Sequence, residues 1–595
     1  MKKILALILA AVMAFSAFAM LGYADGAAVT AYIAQYDETE DDVDRVVNWY
    51  EVNGKYYFFV PASIDYETAK FYVPGTNATV NGAAYTEAKT LAEVFGDKTE
   101  LAVELNGKTY NAVIIKESKV ASVFIATESG SLDFIHAVKG NEEKGSIEIA
   151  DAEGATVYEG GLEIKGRGNS TWQMEKKPYN IKLDDKTNLF GMGKTKKWSL
   201  IANHTDEALI RNVLAYEAAE RAGMPYTPQY TPVDVYINND YMGSYLLTTR
   251  IGIDGSNVDI EDLEGETEDA NEDDLDTYAR GGSYGTYAGL LEGTKKWFEI
   301  PNDPEDITGG YIIEMELANR YADEVSGFVT TRSQPFTMKS PEYASEAQME
   351  YISSYYQQVE DAIYSGVSME ELGKHLNVQS LAQMYLINEW ASNMDGSLTS
   401  TYFYKPANDV LYAGPVWDFD IAFGNNDSER FGNDYNDPTK WTVCYNRMYR
   451  NTVFGKWDID EQPTVYNIIT KNAGFISEVE KEWNGSMSSA VSETLTWIEQ
   501  EYVPAVEGSA VANAIRWNIF GTNDVAAIKA AYADEVEDVI SFAKAKAATI
   551  SAGVGEVHDD APQTNPVVKF FKGFLVGINN LFEKAIVIFD LVNKI

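Results

Sequence analysis

Residues Gly414 to Asn425 read GPVWDFDIAFGN, a stretch that predicts a buried strand carrying two carboxylates, Asp418 and Asp420. Side chains at positions i and i+2 of a strand project from the same face, so we expect both acids to point one way and the apolar side chains the other. Burying an unpaired carboxylate is costly, and such groups are usually paired, hydrogen-bonded or bound to a metal. The two acids therefore indicate either a cation site or, more simply, a strand end that faces solvent or a Lys or Arg partner.

The segment before this strand predicts a hairpin that brings a third acid close to it. A helix is predicted to end near Asn393, Asp395 follows in a loop, and the strand TYFYK turns at Pro406 into VLYAG. Because a hairpin doubles back, the start of its first strand and the end of its second are neighbours. We therefore expect Asp395 to lie near Asp418, as protein kinases place a catalytic base beside a metal ligand.

Further upstream, the segment HTDEALIRNVLAYEAAERAG (204–223) predicts a helix, with Thr205 as its N-cap and Gly223 as its C-terminal stop. Glu217 lies on or beside the apolar face, where it either orients a strand lysine or is an ordinary solvated side chain. The strands TPVDVYIN and SYLLTTRI follow and are joined by a hairpin connection. Helical periodicity dominates from about Glu346 onward, so the order of strands first and helices later predicts an α+β fold.

A basic, glycine-rich stretch lies between residues 163 and 183, EIKGRGNSTWQMEKKPYNIKL. It places Lys165, Arg167 and Asn169 among small residues, and Lys182 follows on a predicted strand. Backbone N–H groups beside glycines approach a phosphate closely while the cations neutralise its charge. The stretch therefore indicates a phosphate site, although a basic hairpin on a surface has the same composition.

The composition disfavours several classes of function. The chain of 595 residues carries 47 Lys and Arg against 91 Asp and Glu, a formal charge of -44, which repels nucleic acid at long range, so no nucleic-acid partner is expected. A single cysteine, Cys444, permits no intramolecular disulfide. The four histidines have no partner at metal-ligand spacing, and HExxH, CxxC, GxSxG and Walker-type motifs are lacking. Histidine-based catalysis is therefore not expected.

Sequence patterns divide the chain into four segments. Residues 1–24 have the basic start, apolar run and small-x-small triplet of a secretory signal peptide, which predicts an extracellular or cell-surface location. Residues 28–118 alternate short apolar runs with Asn-Gly turn signals and predict a small all-β, sandwich-like module. Residues 120–555 hold the motifs described above, interrupted by an acidic insertion at about 254–308 whose first part predicts a solvated loop.

Residues 561–595 combine a linker with an apolar tail that is interrupted by charged residues, Lys572 and Asp590 among them. These charges argue against a helix that spans a membrane. We expect an amphipathic helix that lies on a membrane or on another protein, or one that packs back onto its own domain.

Taken together, the motifs resemble the CotH kinase family, atypical protein kinases related to spore-coat protein H. The matching stretches are KGRGNSTW, KKPYNIKL, the helix around Arg211, VYINNDYMGSYLLTTRI, GGYIIEME and GPVWDFDIAFGN, which span roughly Ile125 to Asn425. The resemblance implies a secreted or spore-associated enzyme with a β-rich N-lobe and a helical C-lobe. It also implies transfer of the γ-phosphoryl group of ATP to Ser or Thr of a protein, or of the chain itself, with Mg²⁺ or Mn²⁺.

The resemblance further assigns roles to the acids of the hairpin. Asp395 matches the catalytic aspartate and Asp418 the metal-binding aspartate, with Asp420 as a further candidate metal ligand. Ser400 stands where kinases and several family members have an Asn that helps to bind metal. A hydroxyl is a weaker neutral ligand than an amide oxygen, so the resemblance leaves second-metal binding, and with it the activity, open.

The nucleotide-binding residues are assigned from the basic stretch and the helix. Lys182, on the strand before the helix, is the candidate phosphate lysine, and Glu217 is its candidate helix partner. Lys165 is the main rival for the lysine role, and Arg167 and Asn169 belong to the same set.

Two other functions stay open at the level of sequence. A non-catalytic extracellular binding or structural module would keep the kinase-like scaffold, since fold does not determine function and ATP is scarce outside cells. A carbohydrate-processing enzyme would use Asp418 and Asp420 as its carboxylate pair, but neighbouring aspartates on one face lie too close together to flank a sugar ring. A metal-dependent rise in melting temperature with ATP distinguishes the kinase from the binding module.

Overall fold

A computed structural model describes residues 31–36, 43–73, 77–116, 119–283, 292–426, 434–449 and 461–558. The predicted signal peptide at residues 1–24 and the predicted tail at 561–595 lie outside these described residues. The structure is a mixed α+β fold, as the order of the sequence patterns predicts. The described residues form two compact units: the first falls within Met1–Leu214, Pro228–Asn257 and Thr494–Ile540, and the second within Ala215–Thr227, Val258–Glu493 and Ser541–Ile595.

The first unit begins with two β-sheets. Their strands are β1 Tyr32–Tyr36, β2 Val43–Asn48, β3 Tyr50–Val52, β4 Lys55–Phe59, β5 Lys70–Tyr72, β6 Thr79–Val80, β7 Ala83–Ala84, β8 Lys89–Thr90, β9 Glu100–Leu105 and β10 Lys108–Ile115. The strand orders are β2-β1-β5-β8 and β3-β4-β10-β9-β6-β7. Asn53, Asn81 and Asn106 each have a positive φ, as does the glycine that follows each of them. These are the two-residue hairpin turns that the Asn-Gly signals predict.

The buried core of these two sheets includes residues far along the chain. The rings of Phe59 and Tyr241 lie 4.7 Å apart, and the hydroxyl of Tyr236 donates a hydrogen bond to the Phe59 carbonyl at 2.7 Å. Val511 and Ile515 belong to the same buried cluster. A fragment of residues 28–118 would expose these contacts, and its independent folding stays a prediction.

A closed seven-stranded barrel completes the β structure of the first unit. Its strands are β11 Ala121–Thr127, β12 Glu142–Ala150, β13 Thr156–Gly166, β14 Tyr179–Asn188, β15 Lys194–Ile201, β16 Tyr230–Ile237 and β17 Asp240–Thr249. The order is β11-β12-β13-β14-β15-β17-β16, and parallel pairing of β11 with β16 closes the barrel. Ile181 and Leu183 of β14 are 1% exposed and fill the interior, whereas Lys182 between them lies on the outer face.

The second unit contains another seven-stranded sheet. Its strands are β18 Arg280–Gly282, β19 Lys295–Phe298, β20 Tyr311–Met315, β21 Gly327–Val329, β22 Pro335–Ser340, β23 Thr401–Lys405 and β24 Tyr412–Ala413, in the order β18-β19-β21-β22-β20-β23-β24. Strands β25 Arg447–Tyr449 and β26 Glu461–Pro463 form a separate antiparallel pair. Every residue of β20 is buried, so both faces of this strand are covered.

The helices concentrate in the second half of the chain, where the periodicity predicts them. Their bounds are α1 Leu91–Val94, α2 Asp133–Ala137, α3 Arg211–Arg221, α4 Leu263–Asp269, α5 Ala318–Tyr321, α6 Glu346–Tyr364, α7 Met369–Leu372, α8 Val378–Trp390, α9 Val465–Ile469, α10 Ala473–Glu482, α11 Ser488–Trp497, α12 Val503–Trp517 and α13 Val525–Gly553. Within the described part of the chain, no helix has the length and apolar character that crossing a membrane requires.

Helix α3 begins later than its sequence pattern predicts. Because the helix begins at Arg211, Thr205 lies too far upstream to be its N-cap, and the predicted N-cap is wrong. Oδ2 of Asp206 accepts the Arg211 N–H at 2.8 Å, and Oδ1 accepts the guanidinium of Arg211 at 2.6 Å. Leu209, with a φ of 59°, interrupts the helical backbone before this point. Gly223, with a φ of 78°, lies just beyond the last helical residue, as predicted.

The acidic segment from Asp254 to Asp276 is more ordered than a solvated loop. It contains α4, whose N-cap Asp262 accepts the Gly265 N–H at 3.1 Å. Leu263 and Leu275 are 1% and 3% exposed. The prediction of a solvated loop is wrong here because two isolated leucines anchor the segment in the second unit, while most of its acids face solvent.

Candidate active site

The predicted hairpin is present, but the strand predicted after it is not. Strands β23 and β24 pair in antiparallel register, with Phe403 opposite Ala413. Residues 414–419 then have no regular secondary structure. Asp418 has a φ of 68°, in the left-handed region, which a strand residue does not adopt. The prediction that Asp418 and Asp420 share one strand face is therefore wrong.

Asp418 nevertheless meets one of the residues assigned to the same site. The Ser400 hydroxyl donates a hydrogen bond to Oδ2 of Asp418 at 3.1 Å, across 18 residues of chain. Both residues are half-buried. The start of the first hairpin strand and the segment after the second are thus neighbours, as hairpin geometry predicts.

The loop from Asp395 to Ser400, which we call the hairpin loop, follows α8 and precedes β23. The side chain of Asn393 accepts the Asp395 N–H at 3.1 Å. The Asp395 carbonyl in turn accepts the N–H groups of Leu398 and Thr399 at 2.9 and 3.1 Å. These bonds within the chain segment determine where the backbone of Asp395 lies.

Gly396 allows the hairpin loop to approach α8 closely. A Cβ atom at this position would lie 2.9 Å from Oδ1 of Asn388 and 3.1 Å from the Asn393 carbonyl oxygen. The loop also holds two serines in the left-handed region, Ser397 with a φ of 65° and Ser400 with a φ of 51°. Such conformations persist only where surrounding contacts enforce them, and they cluster at functional sites.

Asp420 lies in the turn that follows Asp418. Its backbone carbonyl accepts a hydrogen bond from the side chain of Asn425 at 2.8 Å. The neighbouring Phe419 is 1% exposed and meets the ring of Tyr216 edge-on at 6.4 Å. The structure thus shows a turn at Asp420, and its assignment as a metal ligand stays a prediction.

Two carboxylates that the sequence interpretation missed contact the hairpin loop or its strand. Glu314 of β20 faces Tyr402 of β23 in the sheet register. Glu316, just after β20, accepts the Thr399 hydroxyl at 2.5 Å and the Leu317 N–H at 2.7 Å. Both lie in GGYIIEME, where two acids interrupt an apolar strand with the same spacing as the two aspartates in GPVWDFD. That spacing is the signal that could have identified them.

Burial and neighbouring charges shift the pKa values of the groups around Glu314 and Glu316. Burial, followed by the charge of Glu314, raises the pKa of Glu316 to about 7. Nη1 of Arg320 lies 3.5 Å from Glu316, and Nζ of Lys339 lies 2.8 Å from Glu314. Burial lowers the pKa of Lys339, but the carboxylates of Glu314 and Glu324 outweigh it, so the pKa is raised. Two carboxylates and two cations therefore lie on and beside the strands next to the hairpin loop.

The predicted nucleotide-binding lysines lie on the barrel of the first unit and form cross-strand ion pairs. Nζ of Lys182 lies 2.9 Å from Glu163, with 51% of the lysine side chain exposed. Lys165 pairs with Glu142 at 2.8 Å. In each case the partner is the residue directly opposite on the neighbouring strand. The hydrogen bond to Glu163 raises the pKa of Lys182.

The predicted pairing of Lys182 with Glu217 is replaced by two separate ion pairs. Glu217 lies 2.6 Å from Arg221, one helical turn further along α3. Residues four apart on a helix are neighbours on its surface, just as opposed residues are on paired strands. The nearest opposite charge on each element therefore determines the partner.

The glycine-rich loop folds upon itself. A Cβ at Gly166 would lie 2.3 Å from the ring of Trp172, so this glycine makes room for the tryptophan. The Arg167 N–H donates to the Pro178 carbonyl at 3.2 Å, and Asn169 accepts a hydrogen bond from Lys139 at 3.1 Å. Packing against Trp172 thus explains why residue 166 is a glycine, whereas the sequence interpretation connects the glycines with close approach of the backbone to a phosphate.

Comparison with models of known protein families identifies the family of this chain. A model of the CotH kinase protein family matches residues 164–550, most of the chain. The chain belongs to the CotH kinase protein family. A comparison with curated proteins finds no match. The matched range includes the glycine-rich loop, α3, β20 and the hairpin loop, so it confirms the resemblance derived from the motifs and identifies a kinase-like protein.

The oxygen donors of this CotH kinase protein suit a cation whose coordination shell is completed by phosphate and water. Among the described residues, no three His, Cys, Asp or Glu side chains lie close enough together to hold a metal ion. Asp418 and Ser400 supply a carboxylate and a hydroxyl in mutual contact. Mg²⁺ prefers such hard oxygen donors and is commonly held by one or two carboxylates plus substrate phosphates and water. The residues therefore fit Mg²⁺ or Mn²⁺ bound together with a phosphate.

Proposed function

We propose that this CotH family member is a secreted, metal-dependent protein kinase that transfers the γ-phosphoryl group of ATP to Ser or Thr of a protein, itself included. The observation that carries the proposal is the 3.1 Å hydrogen bond between Ser400 and Asp418, two oxygen donors from opposite ends of a hairpin. Family membership supports a kinase-like activity. A β-rich N-lobe and a helical C-lobe, and secretion through residues 1–24, are parts of the same proposal.

The hairpin loop supplies the group that acts on the acceptor. Phosphoryl transfer needs little covalent chemistry from the protein, which mainly orients the acceptor hydroxyl and stabilises charge. Asp395 lies in the loop with its backbone N–H and carbonyl both hydrogen-bonded. In the proposal its carboxylate accepts, or orients, the proton of the acceptor hydroxyl.

Asp418 and Ser400 hold the metal in this proposal, and Asp420 is a further candidate. When bound, a divalent cation neutralises charge on the phosphates of ATP. The Ser400 hydroxyl donates a hydrogen bond to Asp418 in the structure, and rotation of the hydroxyl would turn its lone pairs toward a cation instead. The hydroxyl makes Ser400 the neutral member of the set and Asp418 its charged member.

The nucleotide phosphates are assigned to the basic barrel residues Lys182, Lys165, Arg167 and Asn169. Lys182 and Lys165 hold glutamates through exposed ion pairs. Exposed pairs of this kind contribute only about 0 to 1 kcal/mol, so exchanging a glutamate for a phosphate costs little. Glu163 and Glu142 would then be released to solvent.

Incubation of the purified chain with labelled ATP and Mg²⁺ or Mn²⁺ tests the proposal. Self-phosphorylation that requires metal supports it. Metal-dependent stabilisation by ATP without transfer would favour the non-catalytic binding module on a kinase-like scaffold. If ATP neither stabilises the protein nor donates phosphate, nucleotide chemistry is rejected altogether.

Replacing Asp395 with asparagine is expected to leave ATP binding nearly intact while transfer falls by about 10² to 10⁴-fold, the usual contribution of a positioned general base. The amide keeps the shape of the carboxylate but does not accept a proton at neutral pH. Asp409→Asn is the matched control, because Asp409 is exposed at the turn of the same hairpin. Equal transfer rates for the two variants would contradict the assignment of Asp395.

A further inference from the structure

We propose that Glu316 is a positioning residue for the proposed phosphoryl transfer, and that it acts through Thr399. The inference rests on the proposed function, since it concerns the loop that carries Asp395 and Ser400. Glu316 lies in a motif that the sequence interpretation used only for the resemblance. Its contacts lead directly into the hairpin loop.

Glu316 holds the hairpin loop from the side of the sheet. Its Oε1 accepts the Thr399 hydroxyl at 2.5 Å, and Glu316 and Thr399 are each 2% exposed. The Leu317 N–H donates to the same oxygen at 2.7 Å. Two donors therefore meet one carboxylate oxygen, and burial strengthens their hydrogen bonds by removing the competition of water.

Arg320 completes this anchor. Its Nη1 donates to the Thr399 hydroxyl at 3.2 Å and lies 3.5 Å from Glu316. Glu316, Thr399 and Arg320 therefore form a closed triangle of polar contacts. Each member of the triangle fixes the orientation of the other two.

Thr399 transmits the position of this anchor to both site residues. Its backbone N–H donates to the Asp395 carbonyl at 3.1 Å, and Ser400 is the next residue in the chain. A shift of Thr399 therefore moves the proposed base and the proposed metal ligand together. Misplacement of reacting groups by about 1 Å commonly costs about 10²-fold in rate.

A second anchor holds the other end of the hairpin loop. Nδ2 of Asn446 donates to the carbonyls of Met394 and Gly396 at 3.1 and 2.5 Å, and Asn446 is 1% exposed. Ser397, between the two anchors, and Ser400, just after Thr399, both lie in the left-handed region. A loop with such backbone conformations keeps its shape only while its contacts enforce it. Loss of one anchor is thus expected to change the loop without unfolding the unit.

The experiment compares two buried threonines, each replaced by valine in the full-length chain. Thr399→Val removes the hydroxyl that Glu316 accepts, and Thr399→Ser restores it. Thr337→Val is the matched control, because Thr337 of β22 is 0% exposed and its hydroxyl has no hydrogen-bond partner among the residues that the structure describes. The three readouts are the rate of transfer at saturating ATP, the KM for ATP, and hydrogen exchange of the amides from Asp395 to Thr399.

For Thr399→Val we expect transfer at saturating ATP to fall by about 10 to 100-fold, with the KM changed less than about threefold. Amide exchange from Asp395 to Thr399 is expected to accelerate at least about tenfold, since the hydroxyl anchor that orders the loop is lost. Thr399→Ser should return both quantities to within about threefold of the original protein, as expected when the restored hydroxyl is what matters. A general loss of packing would instead affect Thr337→Val equally and would not be rescued by serine.

The outcomes separate this inference from the proposed function. Unchanged exchange in Thr399→Val overturns the inference, whatever the activity of the original protein. Transfer by the original protein together with an unimpaired Thr399→Val variant also overturns it and leaves the kinase proposal standing. If the original protein neither binds ATP nor transfers phosphate, the kinase proposal fails, and the exchange comparison alone then decides whether Glu316 and Thr399 position the loop.

Discussion

Replacing Asp418 with asparagine is expected to abolish the metal-dependent binding of ATP and to lower phosphoryl transfer by about 10³-fold, the cost of losing one electrostatic partner of the transition state. Asparagine preserves the shape of the side chain and tolerates the φ of 68° that residue 418 adopts, so the fold is retained and only the negative charge is lost. The measurement is the rise in melting temperature produced by ATP with Mg²⁺ or Mn²⁺, followed by the transfer assay.

Ser400→Ala is the companion variant for this test. It removes the hydroxyl that contacts Oδ2 of Asp418 but leaves the carboxylate in place. We expect a loss of less than about tenfold in metal-dependent ATP binding, because a neutral hydroxyl contributes less to cation binding than a carboxylate. If metal and ATP titrations of Asp418→Asn match those of the original protein, they contradict the kinase proposal and favour the binding module.

The second large effect is expected at Lys546, which lies in α13 and forms a fully buried ion pair. Its Nζ lies 2.7 Å from Oε1 of Glu389 in α8, and both side chains are 0% exposed. Lys546→Met should lower the free energy of unfolding by about 3 to 5 kcal/mol, because it leaves an uncompensated carboxylate in the protein interior. Chemical denaturation of the two proteins measures the difference.

Glu389 also explains why this position matters beyond stability. It accepts the backbone N–H groups of Thr442, Val443 and Cys444 at 2.8, 2.8 and 3.2 Å. The same segment continues to Asn446, the second anchor of the hairpin loop. Loss of the ion pair is therefore expected to loosen the support of Asp395 as well as to destabilise the second unit.

Lys182→Met serves as the exposed counterpart of Lys546→Met. The pair of Lys182 with Glu163 has nearly the same length, 2.9 Å, but half of the lysine side chain is exposed. Because water screens and replaces such a pair, its loss should cost less than about 1 kcal/mol. If both variants unfold at the same denaturant concentration, burial does not increase the contribution of the Lys546 ion pair to stability.

Several elements of the fold follow from short stretches of sequence. The Asn-Gly pairs at Asn53, Asn81 and Asn106 form tight hairpin turns, because these residue types tolerate the positive φ values that such turns require. Alternation of buried and exposed residues in β14 places Lys182 on the outer face of the barrel. The motifs that resemble the CotH kinase family lie in or next to the range that the family model matches.

The candidate site was only partly predictable, because the hairpin follows from local sequence but the backbone conformation of Asp418 does not. The hairpin of β23 and β24 follows from its sequence pattern, and with it the neighbourhood of Ser400 and Asp418. The left-handed backbone of Asp418 was not predictable, since an aspartate among apolar residues is equally compatible with a strand. The later start of α3 likewise depends on the buried ion pair between Asp206 and Arg211.

What the sequence by itself determined are the features governed by residues close together in the chain: turns, alternation within strands, the end of α3 at Gly223 and the family to which the chain belongs. Only the tertiary structure decided which charges meet, as for Lys182 with Glu163 and Glu316 with Thr399. Backbone preferences act over a few residues and are visible in the residue types themselves. Partner choice and the raised pKa of Glu316 depend on burial and on groups brought together by folding, which no short stretch of sequence contains.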